Sequence, residues 1–213
     1  MRRLPVYLLI DVSSSMRGEP IAAVNSGIDT LIKDLMRNPY ALETAFISII
    51  TYGTEAQQII PLTEVYKFRK PEIEAKGRSA LGAGLELLCQ CIDQEVQRST
   101  PEQKGDWRPL VFLLCDGGHS GPIAKPIAEF KKAKVGTVVA CATGEKSHFD
   151  TLKKITENII YISSASPGNI SSFFKWVTGT VSASAMSVGR GDDTSDDISA
   201  LPPLPDNITV YTI

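Results

Sequence analysis

Three stretches of the chain are apolar almost without a break, at residues 4–10, 110–115 and 135–142. A strand buried on one face alternates, whereas a strand buried on both faces reads as a continuous apolar run, as in a parallel sheet covered by helices. The three stretches therefore predict central parallel strands. Residues 45–52 and 57–62 predict two more. Only residues 53–56 separate these two, too short a link for a crossover, so they form an antiparallel hairpin at a sheet edge. A last strand is expected over 159–162. Between the strands, apolar positions step by three and four: Ile21, Val24, Ile28, Leu31, Ile32 and Leu35 in one segment, and Leu81, Leu85, Leu88, Ile92 and Val96 in another. Each pattern gives an amphipathic helix with one buried stripe. Pro20 suits the first turn of the first helix, and Pro122 opens another carrying Ile123, Ile127 and Phe130, although Pro126 falls inside it. Phe149, Leu152 and Ile155 mark a short helix; Ile170, Phe173, Phe174, Val177 and Val181 mark a final one.

The resulting order, β-α-β-β-α-β-α-β-α-β-α, predicts an α/β, doubly wound, Rossmann-like fold: a mostly parallel sheet with one antiparallel edge strand. Ligands of such sheets bind beyond the carboxyl ends of the strands, at the switch point of the strand order. After about residue 182 the apolar periodicity stops. Residues 1–183 are read as the domain and 184–213 as a flexible, acidic and Pro-rich C-terminal tail. That tail contains Asp192-Asp193-Thr194-Ser195-Asp196-Asp197 and then Leu201-Pro202-Pro203-Leu204-Pro205. Residues 208–213 alternate like a strand that would add to a sheet edge, here or on a partner.

Composition narrows the function classes. With 213 residues, 43% hydrophobic and 22% charged, the chain is ordinary globular protein with room for one substantial core. A net charge of -2 supplies no global positive field for nucleic-acid phosphates or anionic lipid, so neither nucleic acid nor membrane is expected as a partner. The start, Met1-Arg2-Arg3 followed by apolar residues, is like a leader. The run stops at Asp11 without a small-residue cleavage site, however, and is read as a buried strand. Cys89, Cys91, Cys115 and Cys141 form no C-x-x-C pair and join no histidine at zinc spacing, which predicts free thiols in a reducing cytoplasm.

The candidate chemistry lies at three predicted strand and helix ends. The first strand ends in Asp11-Val12-Ser13-Ser14-Ser15, so a carboxylate and the hydroxyls of Ser13 and Ser15, at alternate positions, face one point. Ser79, in Gly77-Arg78-Ser79-Ala80-Leu81-Gly82, precedes the second helix, and Asp116 ends the strand formed by residues 111–115. Two carboxylates and three hydroxyls make a hard, all-oxygen set suited to Mg²⁺, with Mn²⁺ or Ca²⁺ as alternatives, and one coordination position stays open.

D-x-S-x-S, a later hydroxyl in a Gly-x-Ser-x-Leu-Gly run and Asp-Gly after an apolar strand together resemble the metal-ion-dependent adhesion site of von Willebrand factor A (vWA) domains. The resemblance implies that Asp11, Ser13, Ser15, Ser79 and Asp116 hold the ion, directly or through water. It also implies that a carboxylate from a protein partner completes the coordination. Arg2-Arg3-Leu4-Pro5-Val6-Tyr7-Leu8-Leu9-Ile10-Asp11, Gly18-Glu19-Pro20-Ile21 and Glu102-Gln103-Lys104-Gly105-Asp106-Trp107 are similar to bacterial tellurite-resistance proteins of the TerY type. That similarity implies a non-enzymatic adaptor in a stress-response system, accompanied by a protein kinase and a phosphatase. Two departures stand out: Ser79 replaces the usual threonine, and Gly117-Gly118-His119-Ser120-Gly121 replaces the usual Gly-x-Pro-Thr-Asp run.

Each signal has a plainer reading beside it. Ser13 or Ser15 would also serve as a helix cap, and the crevice would also exist as a polar one without an ion. His119 fits an exposed loop histidine as well as a metal or partner contact. Gly118-His119-Ser120-Gly121 resembles the nucleophile elbow of serine hydrolases, but Pro122 stands in place of the last glycine and the only later histidine is His148. A serine hydrolase using Ser120 is thus the enzymatic alternative, and a subunit that recruits a metal chelatase or AAA+ motor is another. Arg190-Gly191-Asp192 spells an adhesion tripeptide by chance. Thr194 and Ser195 among aspartates suit an acidophilic kinase or a solvated acidic linker. Trp107, Phe173, Phe174 and Trp176 are read as core. No Gly-x-x-x-x-Gly-Lys loop occurs, which excludes P-loop nucleotide hydrolysis.

Overall fold

The computed structural model describes residues 2–115, 118–143, 149–162, 164–189, 201–205 and 209–211. Its strands are β1 (Leu4–Asp11), β2 (Ala45–Tyr52), β3 (Ala56–Glu64), β4 (Leu110–Cys115), β5 (Val138–Thr143), β6 (Asn158–Ile162) and β7 (Thr209–Tyr211). They form a single sheet in the order β3-β2-β1-β4-β5-β6-β7. The five inner strands are parallel, as their unbroken apolar runs require, and β3 returns antiparallel to β2 as the expected reversed edge. The opposite edge is also reversed, because β7 pairs antiparallel with β6 in the register Ile159 to Tyr211 and Tyr161 to Thr209.

The helices are α1 (Glu19–Met36), α2 (Pro39–Thr44), α3 (Leu81–Glu95), α4 (Ala124–Phe130), α5 (Phe149–Lys153) and α6 (Pro167–Gly189). Alternation along β1 divides them into two layers. Leu4, Val6, Leu8 and Ile10 face one core with residues of α1 and α6, while Tyr7 and Leu9 face the other with residues of α3, α4 and α5. Gly27 of α1 lets α6 come close, since a Cβ there would overlap the Phe174 ring.

Three details differ from the sequence reading, each for a local reason. The short helix α2 carries no periodicity, yet it is set by Asn38, whose side-chain oxygen accepts from the backbone N–H of Tyr40 (3.0 Å) and Ala41 (3.2 Å), with Pro39 in the first turn. Helix α4 opens at Ala124, not at Pro122, so Pro126 is its third residue. The N–H missing there would have had no intrahelical acceptor, and the proline costs the helix no bond. Strand β5 starts at Val138, after a segment already tied to the start of β4 by Gly136 N–H donating to Pro109 O at 3.0 Å.

Helix α6 continues to Gly189, past the expected domain end at 183. Leu201 and Leu204 then pack on the α6 side of the sheet, and the Trp176 indole donates to Pro202 O at 3.0 Å. At the start of β1, Arg3 makes a bidentate ion pair with the buried Asp106 (2.5 and 2.9 Å), and the Arg2 guanidinium lies 4.0 Å over the Trp107 ring. Trp107, Phe173, Phe174 and Trp176 are all buried. Among the described residues no helix is long and apolar enough to cross a membrane.

Candidate functional site

The chain passes from β1 to β2 on one side and later returns to β4 on the other, so the strand order switches direction between β1 and β4. Ile10 pairs with Leu114 there, one residue before each strand ends. In open α/β sheets the crevice that takes ligands lies beyond the carboxyl ends of strands at such a switch point.

Asp11 closes β1 and is fully buried. Its Oδ1 accepts the backbone N–H of Ser13 at 2.7 Å, which turns the chain back on itself and aims the following hydroxyls into the crevice. Ser13 is 4% exposed, and its Oγ lies 2.9 Å from Oγ of the exposed Ser15. Ser13 stands at the capping position of a single 3-10 turn, Ser14–Met16, but its side chain makes no capping bond. The helix-cap reading of Ser13 therefore gives way to a hydroxyl pair.

The second loop is locked to the first by backbone. Lys76 N–H donates to Val12 O (2.6 Å) and Ser14 N–H to Gly77 O (3.0 Å), while Ala80 N–H reaches Gly53 O (2.9 Å). Two glycines make this closure sterically feasible. Gly77 has φ +82°, and a Cβ there would run into the Thr54 hydroxyl; a Cβ on Gly53 would lie 2.8 Å from Lys76 O. So held, Ser79 donates from Oγ to Asp11 Oδ2 at 2.8 Å and approaches Gly118 O at 3.0 Å.

The third loop joins through backbone as well. Ser120 N–H donates to Ser79 O at 2.6 Å, and the Ser120 hydroxyl donates to the same carbonyl at 3.0 Å. That hydroxyl is turned toward the Ser79 carbonyl. His119 is exposed. Asp116 and His148 lie outside the described residues, as do the 190–192 tripeptide and Thr194 and Ser195. Four of the five predicted ligands, Asp11, Ser13, Ser15 and Ser79, are thus brought together. Among the described residues no group of three or more His, Cys, Asp or Glu side chains forms that could hold a metal ion, and at this crevice Asp11 stands with hydroxyls.

The sequence reading missed the backbone part of the site, above all Gly53. A glycine directly after an apolar strand, opposite a second Gly-rich loop, was the available signal. It also missed a polar cluster under the β2–β3 hairpin. There Glu95 accepts from Tyr7 OH, Gln58 Nε2 and the backbone N–H of Leu62, all at 3.0 Å. β3 shifts register against β2 between Ile47 and Ile50, and the carboxylate takes up the strand N–H of Leu62.

A family model described as the von Willebrand factor type A domain matches residues 6–175. Among solved structures, the chain is similar to a von Willebrand factor type A protein from Catenulispora acidiphila, with 16% identity over 85% of this chain and 43% of that one, at a TM-score of 0.62. BatB from Bacteroides thetaiotaomicron matches with 15% identity over 85% of this chain and 99% of that one, at 0.54. Proximal thread matrix protein 1 of the mussel byssus, in a structure with a zinc-occupied MIDAS motif, matches with 16% identity over 84% and 48%, at 0.57. The chain spans less than half the length of the Catenulispora and mussel proteins and nearly all of BatB. No curated protein matches it.

Proposed function

The chain belongs to the von Willebrand factor type A family, and from that premise we propose that it is a non-enzymatic, metal-dependent protein-interaction module. Asp11, Ser13, Ser15, Ser79 and Asp116 would hold one Mg²⁺, and a carboxylate of a protein partner would complete its shell. The observation that carries the reading is the chain of oxygens at the end of β1: Ser15 Oγ to Ser13 Oγ at 2.9 Å, and Ser79 Oγ to Asp11 Oδ2 at 2.8 Å. The set is hard and all oxygen, which suits Mg²⁺, with Mn²⁺ or Ca²⁺ as alternatives. The zinc in the mussel protein's motif supports a divalent ion in this fold.

Bound there, the ion supplies an electrophilic point that attracts carboxylate, because its hydroxyl ligands are neutral. The chain's own residues do the positioning: Asp11 orients Ser13 through its N–H and Ser79 through its hydroxyl, and the Gly53 and Gly77 backbones fix the loops. The similarity to TerY-type proteins supports placing the module in a cytoplasmic tellurite-resistance or stress-response system beside a protein kinase and phosphatase.

Calorimetric titration of Mg²⁺, Mn²⁺ and Ca²⁺ into metal-stripped wild type and Asp11→Ala tests the site. One-site binding by the wild type that disappears in a folded Asp11→Ala is the expected result. A folded variant that binds as the wild type does, or that retains metal-dependent capture of the partner from the native host, would refute it.

A further inference from the structure

A groove on the α6 side of the sheet lies at the amino end of β6, where Asn158 begins the strand. Because β6 runs parallel to β5, β4 and β1, this end is opposite the carboxyl ends that bear the metal-site residues. The groove holds about 660 Å³, within the roughly 300–1,000 Å³ of small-molecule sites. It is lined by Val139, Ile160 and Trp176 of the domain and by the segment Leu201-Pro202-Pro203-Leu204. The space stays open with that segment in place: Leu201 and Leu204 pack on the core, and Trp176 Nε1 donates to Pro202 O at 3.0 Å. Two consecutive prolines fix φ, so this side of the groove is stiff and preformed. The indole N–H is already taken up by Pro202, which leaves the Trp176 ring to offer an apolar, π-rich surface.

The polar side chains of the lining are of one kind. Glu157 is exposed, and its carboxylate has no hydrogen bond or ion pair among the described residues. Asn158 beside it donates from Nδ2 to Val138 O at 3.2 Å, which leaves its Oδ1 as an acceptor. An occupant thus meets apolar side chains, an aromatic ring and, at one end, acceptors with a negative charge. Glu157 repels an anion, and a neutral hydrocarbon gains nothing from either acceptor. We propose that the groove is a binding site for an amphiphilic amine. Its apolar chain or ring would lie along Trp176, Ile160 and Leu204, and its protonated amine would meet Glu157 and Asn158. The inference rests on the groove's own lining and is independent of the metal site, which lies at the other end of the strands.

Calorimetric titration of the full chain with octylamine, protonated at neutral pH, and with octanoate, its anionic counterpart of equal chain length, reads the site. Each is used below the concentration at which it aggregates, and tryptophan emission is followed in parallel. The expected result is one-site binding of octylamine with a change in emission, and binding of octanoate weaker by about tenfold or more. Glu157→Gln, at an exposed position, should narrow that difference to about threefold or less. Leu201→Ser/Leu204→Ser removes apolar lining and should lose octylamine binding. A wild type that takes up neither molecule, or takes octanoate as tightly as octylamine, overturns the proposal, as does octylamine binding that persists in the folded double variant. Should the double variant not fold, Glu157→Gln decides alone: unchanged discrimination between the two molecules overturns the assignment, and its loss supports it.

Discussion

Both carboxylate oxygens of Asp11 accept hydrogen bonds inside the protein, from Ser13 N–H and from Ser79 Oγ. The residue thus couples two loops as well as presenting charge. On the proposed reading, Mg²⁺ at about 100 times its Kd stabilises the wild type by about 2.7 kcal/mol. Thermal melts in Mg²⁺ and in chelator should differ for the wild type and coincide for Asp11→Ala. A second residue-scale expectation concerns Tyr7. Burial first, and then the neighbouring Glu95 carboxylate that its OH contacts, push its phenol far above the ordinary value. The unfolded phenol releases its proton near pH 10, while the folded one keeps it. The contribution of Tyr7 is therefore intact below about pH 10 and is lost as pH rises beyond it. Urea melts at about pH 8 and about pH 11 should show a smaller drop in stability for Tyr7→Phe than for the wild type. Cys89 and Cys91 are likewise pushed up, to about 11, chiefly by burial, and the buried Cys141 well above its ordinary value. All three should resist thiol reagents at neutral pH until the protein unfolds.

At the scale of elements, two glycines set how closely parts approach. Gly27→Ala forces a methyl into Phe174 and should cost about 1–3 kcal/mol, read as a lower denaturation midpoint without loss of metal binding. Gly77→Ala meets both a positive φ of +82° and the Thr54 side chain, so it should displace Ser79 and weaken metal binding more than stability. The strands were legible because burial on both faces leaves an unbroken apolar run, as in Leu110–Cys115, where every residue is buried. The long helices were legible from one apolar stripe. Helix α2 was not, since six residues cannot show a period, although Asn38-Pro39 carried the capping signal. Glu95 was not legible either: a glutamate ending a surface helix reads as solvated. Its partners are fixed by a register shift in β3 and by a tyrosine on β1, neither of them local in sequence.

For the whole molecule, the site's location followed from strand order, because Asp11 ends the strand at which the order reverses. The four candidate side chains that the structure brings together were legible as D-x-S-x-S with a later serine, while the backbone lock through Gly53 and Gly77 was not, since it depends on which loops meet. The Pro-rich segment read as an extended tail for the same reason. Nothing in Leu201-Pro202-Pro203-Leu204-Pro205 announces that Trp176, on a helix earlier in the chain, will meet Pro202. Replacing Leu201 and Leu204 with Asp should leave Trp176 more hydrated, seen as a red shift in its fluorescence while the far-ultraviolet spectrum keeps its native form.

The two reversed strands at the rims of the sheet bear on solubility. Along β3, the exposed Pro61 offers no N–H and the register shifts break the regular row of donors, so that rim makes a poor template for another chain. On the other rim β6 is largely apolar, and among the described residues β7 alone pairs with its outer edge. Heating or crowding that lifts β7 should therefore start precipitation from the β6 side. A lysine placed on β6 at the half-exposed Tyr161 should delay turbidity more than the same change on β3.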